Sequence, residues 1–279
     1  MAIPTTTLPG GDRMPVLGFG TGGLDGERLR TAVDAAVDAG YCRFDTAEGY
    51  GNEAALGDAL AEYDRADLFV ASKALPRHLD YESVIASCEA SLDRLGTDYL
   101  DLYMPHWPNP AVSLRETTRA LARLVDRGLV RNVGVSNVTP YQLSCARHVS
   151  PVPISVCQTE VHPWRQQSVL REYCTDHGTA VDAAAPLART EVFDDPAISE
   201  AAAAHGVTPA QVVLRWALDR GLCPIPGSAT PEHVRANAAL FDWELTEDER
   251  ARVDALDRDR SVYNLDPTDW DDDTFGISE

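Results

Sequence analysis

Short apolar, β-branched runs alternate with longer amphipathic stretches along the whole chain. Residues 15–20, 41–46, 68–72, 99–104, 130–135, 154–160, 179–184 and 222–226 read as strands, each a brief apolar run bounded by turn-forming or polar residues. Apolar positions at helical spacing predict helices at 26–39, 52–62, 81–95, 113–127, 140–147, 166–177, 197–220 and 231–240. Within 113–127, for example, Leu114, Leu121, Leu124 and Val125 fall on one stripe. Ser113…Glu116, Thr139-Pro140…Gln142, Thr208-Pro209…Gln211 and Thr246…Glu249 read as capping boxes that start helices, two of them with proline at the first helical position.

Eight strand–helix units in 279 residues fit an α/β chain folded as a (β/α)8 TIM barrel. A doubly wound open sheet is the rival, but Gly18-Phe19-Gly20 runs on into Thr21-Gly22-Gly23 without the spaced third glycine of a dinucleotide fingerprint. Thr5 to Pro15, with Pro9-Gly10-Gly11-Asp12 at its middle, reads as an N-terminal β-hairpin. No linker or composition break divides the chain, so residues 1–279 are expected to form one domain, with the acidic segment 256–279 as an irregular tail across the barrel mouth.

The formal charge of −20 argues against a nucleic-acid or anionic-membrane partner, because both need a cationic face. The N-terminus has neither the basic start nor the apolar centre of a secretion signal, so a cytoplasmic location is expected. Among 24 basic residues only Lys73 is a lysine. Lysine scarcity with abundant aspartate reads either as adaptation to concentrated intracellular salt or as drift in a GC-rich genome. In both cases a single retained lysine calls for a chemical reason, since lysine can shift its pKa and release a proton where arginine cannot. The six cysteines show no Cys-x-x-Cys pair, and neither a disulfide framework nor a metal site is expected.

In a barrel of this kind the chemistry sits at the C-terminal ends of the strands. Polar residues collect there: Asp45-Thr46 with Tyr50 beyond, Ser72-Lys73, His106-Trp107, Ser136-Asn137, Gln158, Glu160, Pro186-Leu187 and Pro226-Gly227-Ser228. Tyr50, Lys73, Asp45 and His106 on one rim would make a proton-donating device. A phenol titrates too high to exchange protons quickly near neutrality, a neighbouring ammonium lowers its pKa, a carboxylate keeps that ammonium charged, and an imidazole orients the oxygen being protonated. Such a set suits a carbonyl oxygen that gains negative charge on receiving hydride.

These residues resemble the aldo-keto reductases. The resemblance rests on Gly40-Tyr41-Cys42-Arg43-Phe44-Asp45-Thr46-Ala47 through Tyr50-Gly51-Asn52-Glu53, on Ser72-Lys73, and on Tyr99-Leu100-Asp101-Leu102-Tyr103 through His106-Trp107-Pro108. It continues in Gly134-Val135-Ser136-Asn137, in Gln158-Thr159-Glu160-Val161-His162-Pro163 and in Ile225-Pro226, all in family order from about residue 5 to 265. The resemblance implies a barrel that carries NADP(H), with NAD(H) as the alternative, and reduces a small aldehyde, ketone or sugar to the alcohol. Tyr50 would be the general acid, Lys73 and Asp45 its tuning pair, and His106 the group that orients the carbonyl. Trp107 would join Tyr50 and His106 in the substrate pocket. Cofactor contacts would come from Thr21, Asp45, Ser136, Asn137, Gln158, Pro186, Leu187, Ser228 and Asn237.

The chain departs from the family pattern in several places. Where the family has Tyr-Ser-Pro-Leu it reads Ala184-Ala185-Pro186-Leu187, so the ring that stacks under the nicotinamide is missing. Gly227 replaces a phosphate-binding lysine and His233 an arginine, with Arg235 as a nearby substitute; Gly22 replaces a tryptophan, and Trp107, Trp164 and Trp270 are candidates for the substrate wall. His162 and Glu48 are expected to be structural and solvent-facing respectively, and His78, His148, His177 and His205 solvated. A reductase-like module that binds nicotinamide nucleotide and docks on a partner is the alternative reading, opposed by the completeness of the proton device. A Schiff-base lyase or isomerase using Lys73 is a further one, opposed by Asp45, which would keep Lys73 charged. The enzyme is expected to be a monomer acting on a small molecule.

Overall fold

Every predicted strand forms, and the eight lie parallel in chain order. The computed structural model describes residues 3–263, so Trp270 and the Asp271–Asp273 run of the expected tail lie outside the described residues. The parallel sheet comprises β3 (Phe19–Gly20), β4 (Arg43–Asp45), β5 (Phe69–Ala74), β6 (Leu100–Pro105), β7 (Val130–Ser136), β8 (Ile154–Glu160), β9 (Ala180–Ala184) and β10 (Cys223–Pro224). Gly18 N–H donates to the Pro224 carbonyl and Gly20 N–H to that of Pro226, each at 3.0 Å, so the first and last strands meet and the sheet curls into a barrel. The predicted hairpin is present as β1 (Thr5–Thr7) paired antiparallel with β2 (Arg13–Pro15).

The helices are α1 (Gly26–Asp38), α2 (Glu53–Leu60), α3 (Tyr81–Leu95), α4 (Leu114–Asp126), α5 (Pro140–Val149), α6 (Ser168–Asp176), α7 (Pro196–His205), α8 (Pro209–Asp219), α9 (Pro231–Ala238) and α10 (Glu247–Asp254). Three of the four expected capping boxes close, at Thr139, Thr208 and Thr246. The fourth does not. Ser113 makes no side-chain cap, and the Glu116 carboxylate instead accepts from the Tyr81 backbone N–H at 3.2 Å. The long helix expected at 197–220 is two helices. Gly206 (φ 66°) ends α7 in the left-handed conformation, and the Thr208 box with Pro209 begins α8 within three residues. The Thr246 box starts α10, for which the apolar pattern had assigned no helix, because that segment buries only Val253.

Side-chain alternation divides the barrel interior into layers. Leu8 and Met14 of the hairpin segment pack with Phe69, Ala71, Leu102, Met104, Val156 and Cys223 as an apolar floor. Above it lies a charged layer that includes Arg43 and Asp182, both wholly buried. Asp45, Lys73 and Gln158 stand at the rim. The larger apolar cluster fills the space between the strands and the helices. Among the described residues no helix is long and apolar enough to cross a membrane.

Closure of the barrel leaves little room at the seam. A Cβ on Gly20 would stand 2.8 Å from the Ile225 carbonyl oxygen, and one on Gly227 would overlap the Gly20 carbonyl. This close backbone approach leaves no room for a Cβ at 227 in this chain. Gly20→Ala is expected to cost roughly 1–3 kcal/mol through forced strand separation, measured by urea unfolding; unchanged stability would show that the seam is looser than the coordinates indicate.

Candidate active site

Tyr50 is delivered by a single 3-10 turn, Glu48–Tyr50, that follows β4 and ends at Gly51 in the left-handed conformation (φ 65°). The turn is pinned from behind by Glu48, which is not the solvent-facing carboxylate expected. It accepts from Ser87 Oγ at 2.7 Å and from the Leu75 N–H at 3.1 Å, and pairs with His78 Nδ1 at 2.8 Å. These contacts hold its carboxyl below the usual glutamate range despite burial, which acts in the opposite direction. His78 is accordingly engaged, as is His205, which meets Glu249 at 2.9 Å. Asn52 ties the neighbouring loops together, accepting from Thr46 Oγ1 at 2.8 Å and donating to the Thr21 and Leu24 carbonyls.

Alternation on β5 sends Lys73 into the barrel and Ser72 outward to the Glu53 carboxylate on α2. Lys73 is fully buried. Its Nζ donates to Asp45 Oδ1 at 2.6 Å and to the Thr46 carbonyl at 2.8 Å. The ammonium stands 5.1 Å from the centre of the Tyr50 ring. Burial alone would drive Lys73 down, but Asp45 and Tyr50 outweigh it, so its pKa is raised and it stays charged. Burial likewise pushes the Tyr50 phenol up; Lys73 pulls it back down, and Asp45 pushes it up again. The lowering effect expected of the lysine is therefore present, but the net direction is upward, because desolvation of the phenolate is the larger influence.

His106 meets Tyr50 edge to face, with ring centres 5.4 Å apart at 80°. Burial, assisted by the Lys73 charge, pushes its pKa down to about 3. The imidazole is thus neutral and able to give or accept a hydrogen bond beside the Tyr50 ring. Asn137, held at φ 57°, donates its amide to the His106 carbonyl at 2.9 Å and to Ser136 Oγ at 3.0 Å.

Asp45, Tyr50 and His106 border one cavity of about 740 Å³, and the fully buried Lys73 does not line it. Of the candidate cofactor residues, Asp45, Asn137, Gln158, Pro186, Leu187 and Ser228 line this cavity. Thr21, Ser136 and Asn237 do not. Thr21 is buried with its hydroxyl on the Asp45 carbonyl, Ser136 is buried as the acceptor for Asn137, and Asn237 is buried in α9. Trp107 lines the cavity, but Trp164 does not: Arg258 and Arg260 stack on its ring at 3.9 and 4.5 Å. That stack begins a strap, residues 256–263, which reaches the cavity at Tyr263. Ser261 Oγ and the Val262 N–H both donate to Glu160 at 2.6 Å, and His162 Nε2 meets the same carboxylate at 2.9 Å, a structural place for that histidine.

The strap brings Tyr263 onto the cavity, 6.1 Å from Trp107 in an edge-on contact. Sequence reasoning missed Tyr263, as well as Arg189 on the cavity wall and the buried pair Arg43–Asp182. A signal existed for the pair: Arg43 shares the face of Asp45 by alternation, and Asp182 is a charge inside an otherwise apolar strand. Nothing in the sequence marked Tyr263, because its place depends on the Glu160 latch.

An elongated nucleotide fits this cavity by the chemistry of its walls. Asn137, Gln158 and Ser228 offer hydrogen bonds and Arg189 a cation. Ala184 and Ala185 also line it, and neither offers a ring to stack on. Comparison with known proteins is consistent with that fit. The model of the Aldo/keto reductase family matches residues 16–258. An aldo-keto reductase of Mycolicibacterium vanbaalenii is 40% identical over 92% of this chain and 93% of its own length. A 2,5-diketo-D-gluconic acid reductase B of a Corynebacterium species is 40% identical over 95% of this chain and 97% of its own. Among solved structures, a Bombyx mori aldo-keto reductase in complex with NADP superposes with a TM-score of 0.90 at 31% identity, covering 97% of each chain.

The His106 environment can be tested directly. Its ring resonances should show no protonation between about pH 5 and 8, and a midpoint near the ordinary histidine value would contradict the buried placement. The folded state refuses a proton that the unfolded chain accepts, so this group should cost stability as pH falls from about 6.5 toward about 3.

Proposed function

The chain belongs to the aldo/keto reductase family, and from that premise we propose that Tyr50 protonates the oxygen of a carbonyl substrate while Lys73, Asp45 and His106 set the conditions for it. As a family member the protein is an NAD(P)H-dependent oxidoreductase that reduces carbonyls to alcohols, with NADP(H) as cofactor. When bound, the reduced cofactor supplies the hydride. The observation that carries the residue assignment is the stack of contacts Asp45–Lys73 at 2.6 Å, Lys73 over Tyr50 at 5.1 Å, and Tyr50 against His106 at 5.4 Å.

Each group has a separate task. Lys73, kept charged by Asp45, stabilises negative charge on the Tyr50 oxygen as the proton leaves. His106, held neutral, donates a hydrogen bond to the substrate oxygen and fixes its approach to the phenol. Asn137 and Gln158 take the amide end of the nicotinamide, Pro186 and Leu187 the middle of the cofactor, and Ser228 its far end. Thr21 and Ser136 support this lining through the Asp45 carbonyl and the Asn137 amide, and Asn237 is buried in α9. Trp107 and Tyr263 frame the substrate end, and their spacing suits a small or sugar-like carbonyl compound. The naming of the Corynebacterium relative, a diketo-gluconic acid reductase, supports the same class. We read the protein as a cytoplasmic monomer of one domain, and its acidic composition as an adaptation to salt.

Tyr50→Phe removes the acid while keeping the ring. It should lower kcat for reduction of a generic aldehyde by at least about a hundredfold, with NADPH binding, followed by fluorescence quenching, within about twofold of the parent. A variant that reduces the aldehyde at the parent rate would refute the assignment.

A further inference from the structure

Beneath the rim the barrel carries a second buried ion pair that the reaction chemistry above does not use. Asp182 on β9 is wholly buried and pairs with the Arg43 guanidinium of β4. Arg43 is anchored in turn by the Pro15 carbonyl at 3.2 Å and lies over the Phe69 ring at 5.7 Å. Asp182 is also the register partner of Gln158 on β8, and the two side chains share the barrel interior. Gln158 Nε2 donates to Asp45 Oδ2 at 2.8 Å and to Asp182 Oδ2 at 3.4 Å.

The Asp45 carboxylate, paired with Lys73, and the Asp182 carboxylate, paired with Arg43, present acceptor oxygens, and the Gln158 amide turns its NH2 toward both. A flipped amide would set a carbonyl oxygen against two buried acceptors, leaving donor and acceptor unpaired in a dry interior. The carbonyl oxygen is thus the end of the amide left for the cavity, which Gln158 helps to line. With Asp45 alone the side chain would have one tether and could swing about it. Asp182 supplies the second tether, and Arg43 makes its buried charge affordable.

We propose that Asp182, clamped by Arg43, is a positioning residue for Gln158: it locks that amide so that the cavity receives a hydrogen-bond acceptor, matched to the NH2 of a carboxamide such as that of nicotinamide. This rests on the reading that a nicotinamide cofactor occupies the cavity, and it assigns Arg43 and Asp182 a role in choosing which pyridine substituent is bound. Removing one member of the pair alone would strand a buried charge, whereas replacing both with apolar residues of similar size is tolerated in other buried pairs.

The experiment is a binding comparison that needs no turnover. Dissociation constants for NADPH and for its reduced 3-acetylpyridine analogue, which lacks the amide NH2, are measured by fluorescence quenching. The parent should prefer NADPH by about tenfold, the worth of one hydrogen bond to a positioned acceptor. Gln158→Leu should abolish most of that preference. Arg43→Met with Asp182→Leu should bring the ratio to within about threefold, whereas Arg43→Met with Asp182→Asn, which restores an acceptor without the charge, should recover it. A role in packing alone would not separate these two double variants. Equal ratios in the two folded double variants, or a parent preference untouched by Gln158→Leu, would overturn the proposal; the latter reading stands even if a double variant fails to fold. A parent that binds neither nucleotide would instead sink the functional reading and this inference with it.

Discussion

The site depends on a lysine and an aspartate held 2.6 Å apart where water does not reach. Taking both charges out of solvent costs several kcal/mol per ion, and their attraction offsets this only when every remaining donor and acceptor is engaged. Here Lys73 also donates to the Thr46 carbonyl and faces Tyr50, and the second Asp45 oxygen receives Gln158. The result is a fixed positive charge beneath a phenol that burial alone would make a poorer acid. Arginine could not serve in the same place, since its planar fork would spread the charge and demand more acceptors. This chemistry explains why Lys73 persists in a chain that otherwise uses arginine.

Around that pair the molecule divides into a rigid floor and a latched rim. The floor is the apolar plug beneath the Arg43–Asp182 layer, which orders the interior before any ligand arrives. The rim is assembled from loops and from the strap that Glu160 fastens through Ser261 and Val262. The proposed proton chemistry thereby falls on strands and one short pinned turn, and the proposed substrate end on Trp107 and Tyr263, residues set by loop and tail geometry. Variation in what the enzyme accepts can occur at the rim without disturbing the buried charges.

Much of this was readable in the linear pattern. Strand alternation, capping boxes and the polar residues at strand ends gave the barrel and its hairpin, and the same strand ends held Asp45, Lys73 and His106. What the pattern could not give are facts of three-dimensional closure. The close approach of Gly227 to the Gly20 carbonyl appears only across the seam, Glu48 is explained only by the three donors that converge on it, and Tyr263 only by a latch a hundred positions away in the chain. Thr21 and Ser136 lie next to cavity residues in sequence, yet each turns its side chain into the protein. Adjacency along the chain fixes a residue's neighbourhood, and only the packing decides its direction.

The central claim is that the buried ammonium makes Tyr50 a usable acid, and the pH dependence of kcat for aldehyde reduction in Lys73→Met against the parent tests it most directly. In the proposed function reduction requires the protonated phenol, and Lys73 is the neighbour that draws the Tyr50 pKa down against burial. The variant should therefore show a reduced kcat with its basic limb displaced upward by about one pH unit or more. A folded variant whose basic limb coincides with that of the parent would contradict the account.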